Sequence, residues 1–180
     1  MSIFAIGDLH ISSNGEKPMD VFGRQWDKHY DVIRQNWREP VKPTDTVLIP
    51  GDISWAMQME QAERDLLTIA ELPGQKILLR GNHDYWWSSI TKLRSFLPAG
   101  MKAVQNDSVV AEPWVICGTR GWTFPTPQNP LDAQEAKIYR RELIRLEIAL
   151  QSAQKVGLPI LAMLHFPPLL ADYRDTEFTA

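Results

Sequence analysis

The sequence predicts an α/β fold: a layered β-sandwich flanked by helices. Three observations point there. Short apolar runs recur along the 180 residues. They are continuously apolar and do not alternate, which suits strands covered on both faces. Stretches with helical spacing lie between most of them, the alternation that builds layered α/β sheets.

Residues 3–7 (IFAIG) are the first predicted strand. Residues 25–38 follow as a helix, with Trp26, Tyr30, Ile33 and Trp37 at helical spacing and Pro40 as the stop. The second strand is 46–50 (TVLIP). A helix over 58–72 sets Met59, Ala62, Leu66 and Ile69 on one face before Pro73-Gly74 breaks it. The third strand, 76–80 (KILLR), leads into a short helix over 88–97, and 114–118 (WVICG) is the fourth. Residues 124–130 (FPTPQNP) read as a proline-rich loop. The longest helix spans 132–155, where Asp132 and Glu135 have capping-box spacing and Gly157 supplies the stop. The last strand is 159–164 (PILAML). No repeat or linker divides residues 1–180, so one domain is expected.

With 44% hydrophobic and 23% charged residues, the composition is that of a soluble globular protein. There are 22 acidic against 19 basic residues, a net charge of −3, which gives no electrostatic reason to expect nucleic acid or an anionic membrane. The single cysteine, Cys117, cannot pair internally and reads as a buried small hydrophobe in a reducing compartment. No signal peptide opens the chain, and no run approaches the ~18 apolar residues of a membrane span. A cytoplasmic location is expected.

Chemistry-bearing residues gather where strands end: Asp8-Leu9-His10 after the first, Gly51-Asp52 after the second, Gly81-Asn82-His83-Asp84 after the third, and His165 after the last. Ligands of α/β sheets bind outside the carboxyl ends of the strands. Taken alone, Asp-Leu-His suits a helix cap or solvated loop, and His165 a satisfied core histidine. Taken together, they read as one site. Carboxylate, amide and imidazole suit Mn²⁺, Fe²⁺ or Zn²⁺. A carboxylate such as Asp52 can bridge two ions ~3.5–4 Å apart, the spacing two-metal hydrolases use. Lys17, Arg24, Arg120 and the Trp86-Trp87 pair flank these loops and are more simply read as solvated cations and packing aromatics.

The motifs GDLH (7–10), GD (51–52) and GNHD (81–84), with a later strand-end histidine, resemble the calcineurin-like metallophosphoesterase superfamily. KPMDVFG, IPGDISWAM, GNHDYWW and ICGTRGW are further similar to a bacterial group of predicted phosphohydrolases within it. The resemblance implies an αββα sandwich around two divalent ions. Asp8 and His10 would bind the first ion, Asp52 both, and Asn82 and His165 the second. His83 would contact the scissile phosphate and protonate the leaving oxygen, with Asp84 orienting it, while a metal-bound hydroxide attacks phosphorus. The implied substrate is a small phosphate mono- or diester. A nuclease would share the site, but the acidic balance disfavours long nucleic acids.

One departure accompanies the resemblance. The family's final Gly-His-x-His is absent after His165, so the chain resembles a metallophosphoesterase that is C-terminally incomplete. His29, in the first predicted helix, is a poor substitute. The alternative reading is therefore a truncated, inactive or weakly metal-binding fragment of such an enzyme.

Overall fold

The computed structural model describes all residues except Asn14, Glu16, Pro127, Gln128 and Ala171. Two compact units divide the chain, Met1–Ala103 and Val104–Ala180.

The first unit is built on a parallel sheet of β1 (Ile3–Ala5), β2 (Thr46–Pro50), β3 (Gln75–Leu79) and β4 (Met101–Ala103), in that spatial order. Leu48 registers against Ala5 on one side and Ile77 on the other. Thr46 to Ile49 and Lys76 to Leu79 are all buried, as unbroken apolar runs predict; β1, at the sheet edge, is only half covered. The helices are α1 (His29–Arg38), α2 (Met59–Ala70) and α3 (Ile90–Phe96). Their apolar faces pack Trp37, Ala62, Leu66, Ile69 and Leu93 with Val47, Ile49 and Leu78. At roughly 1.5–3 kcal/mol for each fully buried large aliphatic side chain, this layer is the unit's main source of stability. Lys76 is buried, and its ammonium donates to the carbonyls of Ala70 and Leu72 at the end of α2, where the helix dipole favours a cation. Burial lowers its pKa.

The second unit holds a mixed sheet. β5 (Ser108–Ala111) runs antiparallel to β6 (Trp114–Thr119), which pairs in parallel with β7 (Ile160–Leu164). A Cβ on Gly118 would lie 2.1 Å from the Met163 carbonyl oxygen, so only glycine lets β6 and β7 approach this closely. The helix α4 (Ala133–Gln154) opens with the expected capping box: Asp132 accepts the N–H groups of Gln134 and Glu135, and Glu135 accepts that of Asp132. Its Ala149 and Ala153 pack on Val115 and Cys117. Cys117 is unpaired and buried, and burial pushes its thiol up to about 11.

One local expectation is corrected and two strands are added. The helix expected over 25–38 is a 3-10 turn, Arg24–Trp26, followed by α1, because Lys28 takes a left-handed φ of 52° between them. β4 and β5 are strands that the apolar pattern does not predict: the one is three residues long, the other four. In the proline-rich loop, Pro127 and Gln128 lie outside the described residues. Among the described residues, no helix is long and apolar enough to cross a membrane.

Candidate metal centre

The segment after β1 runs beside the segment after β2 and continues their pairing. Asp8 donates its N–H to the Gly51 carbonyl (3.1 Å), His10 to that of Asp52 (2.9 Å) and Ile11 to that of Ile53 (3.0 Å). Within this ladder Asp8, His10 and Asp52 all adopt left-handed backbone, with φ of 55°, 43° and 51°. Asp and His are among the non-glycine residues that tolerate the region, though each still bears a cost of order 1 kcal/mol. Strain of this kind concentrates at functional sites.

The result is a convergence of three donors. One ligand atom each from Asp8, His10 and Asp52 lies within 4.8 Å of the others. His10 Nε2 sits 3.6 Å from Asp8 Oδ1 and 3.6 Å from Asp52 Oδ2. That spacing is too long for hydrogen bonds, but it suits donors that share an ion at ~2.0–2.2 Å. Asp52 is buried while Asp8 is exposed, so the cluster has a covered floor and an open rim. Two carboxylates and an imidazole form a donor set that fits a divalent first-row ion.

The third strand-end segment closes on the floor. Asp52 Oδ1 accepts the His83 N–H at 2.9 Å. A Cβ at Gly81 would stand 2.1 Å from that same Oδ1 and 2.3 Å from the Asp52 nitrogen, so no other residue fits. The fully buried carboxylate of Asp84 accepts five N–H groups. Oδ1 takes those of Ile53 (2.8 Å), Trp86 Nε1 (3.0 Å) and Ser54 (3.3 Å). Oδ2 takes those of Gly81 (2.8 Å) and Asp52 (2.9 Å). Burial raises its pKa, the N–H groups of Gly81 and Ile53 draw it back, and the Asp52 charge adds to the rise. All five facing groups are donors, so both oxygens act as acceptors and the carboxylate form is the one these groups solvate.

Four of the five groups that Asp84 accepts are backbone N–H and the fifth is the Trp86 indole; one of them, the Asp52 N–H, belongs to the residue whose Oδ1 accepts the His83 N–H. The His83 ring packs against aromatic neighbours: Trp55 at 4.9 Å, His10 at 5.8 Å and Tyr85 at 6.3 Å between centroids. Asn82 is half-buried in the same turn as His83. His29 donates its Nε2–H to the Leu9 carbonyl at 2.9 Å, bracing the segment between Asp8 and His10. His165 belongs to the second unit, directly after β7; its N–H pairs with the Arg120 carbonyl at 3.2 Å and its ring packs on Phe166.

A sequence model described as calcineurin-like phosphoesterase matches residues 1–179. The chain belongs to the calcineurin-like phosphoesterase family. No curated protein matches it. A solved structure, that of the protein of unknown function AQ665 from Aquifex aeolicus, is 17% identical, with a TM-score of 0.49 over 91% of this chain and 90% of that one. The segments GDLH, GD and GNHD are the ones that meet at the floor and rim just described.

Other residues around this cluster escape a reading of motifs. Trp55 stacks on His10, and Asp65 of α2 accepts Ser54 Oγ–H (2.5 Å) and the Ser13 N–H (2.9 Å). For Trp55 the available signal was a tryptophan just past Gly-Asp; Asp65 is indistinguishable in sequence from any charge on a helix. Of the flanking residues, Trp86 and Trp87 are buried in the core, as packing aromatics should be. Arg120 is not a solvated cation: it is half-buried, pairs with buried Glu142 at 3.4 Å and lies over the Trp122 ring. Lys17 is exposed, with its ammonium 5.4 Å above the Trp55 ring.

Proposed function

We propose that the protein is a metal-dependent hydrolase of small phosphate mono- or diesters with a dinuclear centre. The observation that carries this reading is the convergence of Asp8, His10 and Asp52 beside His83, in a chain of this family. Asp8, His10 and Asp52 would hold one divalent ion, and Asp52 and Asn82 would serve a second; for His165 the reading rests on the family's motif order alone. Bound ions supply positive charge to the phosphoryl oxygens and acidify a water to a nucleophile.

The chain's own residues do the rest. Asp52 is aimed by the N–H of His83, and Asp84 holds the backbone on which Asp52 sits. His83, on the same turn as Asn82, is the group to donate a proton to the departing oxygen. The net charge of −3 favours small esters over long nucleic acids. The unpaired Cys117 suits a reducing compartment such as the cytoplasm. The family match runs across both units, which favours one domain.

The test is metal analysis after Mn²⁺ reconstitution, together with hydrolysis of 4-nitrophenyl phosphate and its bis-ester, on wild type and Asp52→Asn. About two ions per chain and turnover, both lost in the variant, are expected of a two-metal hydrolase. Full turnover in Asp52→Asn refutes the reading. A chain that binds one ion or none and is inert refutes the dinuclear hydrolase reading as well.

A further inference from the structure

A ligand histidine is ordinarily aimed by a hydrogen bond from its second ring nitrogen to a carboxylate or carbonyl. His10 lacks this device among the described residues: its Nδ1 is buried with no hydrogen-bond partner. Some other contact must fix the ring.

Trp55 makes that contact. Its indole stacks on the His10 imidazole with centroids 4.6 Å apart and planes 21° apart. The same indole lies 4.9 Å from the His83 ring at 58°. The two imidazoles are 5.8 Å apart, so the three rings form a closed cluster in which a shift of the indole displaces both. Trp55 is itself held on several sides. Its Nε1–H donates to the sulfur of buried Met19 at 3.2 Å, its backbone N–H donates to the Ile11 carbonyl at 2.9 Å, and Lys17 sits over the ring.

We propose that Trp55 is the positioning residue of this centre, setting the His10 imidazole toward an ion by stacking and fixing its spacing from His83. The inference rests on the functional reading above. An aromatic wall does here what a hydrogen-bonded carboxylate does elsewhere.

Trp55→Leu should weaken Mn²⁺ binding ~10–100-fold, the usual loss when an outer support of a metal ligand is removed. Trp55→Phe, which keeps an aromatic face, should recover most of that loss. Titration calorimetry on the full chain reads both, and circular dichroism checks that each folds. A second measurement needs no variant at Trp55. In the metal-free wild type, the indole ring current should move the ring-proton resonances of His10 and His83 upfield of their positions in the urea-unfolded chain. Wild-type Mn²⁺ affinity in Trp55→Leu, or unshifted His10 resonances in the wild type, overturns the proposal. Asp52→Asn separates the two failures. If it loses Mn²⁺ while Trp55→Leu does not, only the role of Trp55 falls; if neither loses it, the metal reading falls as well.

Discussion

Replacing Asp84 by asparagine tests whether the floor of the site is held together by one carboxylate. Asparagine keeps the shape but turns one acceptor oxygen into an NH₂ donor. If its remaining oxygen faces Ile53, Ser54 and Trp86, the NH₂ confronts the N–H groups of Gly81 and Asp52, which now stand 2.8 and 2.9 Å from an acceptor. Each buried donor left unsatisfied costs about 1–3 kcal/mol, so the pair costs about 2–6 kcal/mol. The variant also removes a buried charge, but five N–H groups already solvate that charge, so the relief is the smaller effect. We expect a net loss of about 3 kcal/mol. With a urea slope of about 2 kcal/mol/M, the unfolding midpoint should fall by about 1.5 M at constant slope. The amide resonances of Asp52, Ile53 and Gly81 should move upfield as their charged acceptor disappears. An unchanged midpoint with unmoved amides would refute the reasoning.

Two further outcomes follow from the geometry. Gly81→Ala drives a methyl group into the side chain and backbone of Asp52 and should destabilise by about 1–3 kcal/mol or more, with Mn²⁺ binding lost alongside; urea unfolding and titration calorimetry read the two effects. Asp45 has its carboxyl held below the usual range by the N–H groups of Ser2 and Lys42. A lowered pKa stabilises above the ordinary carboxylate value of about 3.9 and is lost as pH falls through the folded-state value. Thermal melts should therefore show Asp45→Asn less stable than wild type at neutral pH, with the difference shrinking on acidification; a constant difference would contradict this.

Much of this was legible in the sequence, for a physical reason. The interior strands are apolar on both faces, so β2 and β3 announce themselves, and residues that end such strands in Asp, Asn or His have few structural excuses. Asp8, His10, Asp52 and the Asn82–Asp84 turn stood out on that ground. What was not legible lies in contacts between distant segments. Asp84 bonds to Asp52 across 32 positions, and Asp65 to Ser13 across 52. A tryptophan such as Trp55 resembles any core aromatic in sequence, and only the fold reveals that it faces two imidazoles. The short β4 and β5 lack the length that makes a strand readable.

The grip of Asp84 also decides how this site can breathe. The N–H groups of Asp52, Ile53 and Gly81 share one acceptor, drawn from segments about 30 residues apart in the chain. Water reaches any of them only if the segment after β2 parts from the one after β3. Those protons should thus exchange as slowly as those of paired strands, unlike the protons of a surface loop. Asp8, with 61% of its side chain exposed, is not bound by that constraint. On the proposed function, an ion or product would come and go at the rim while the floor stays closed.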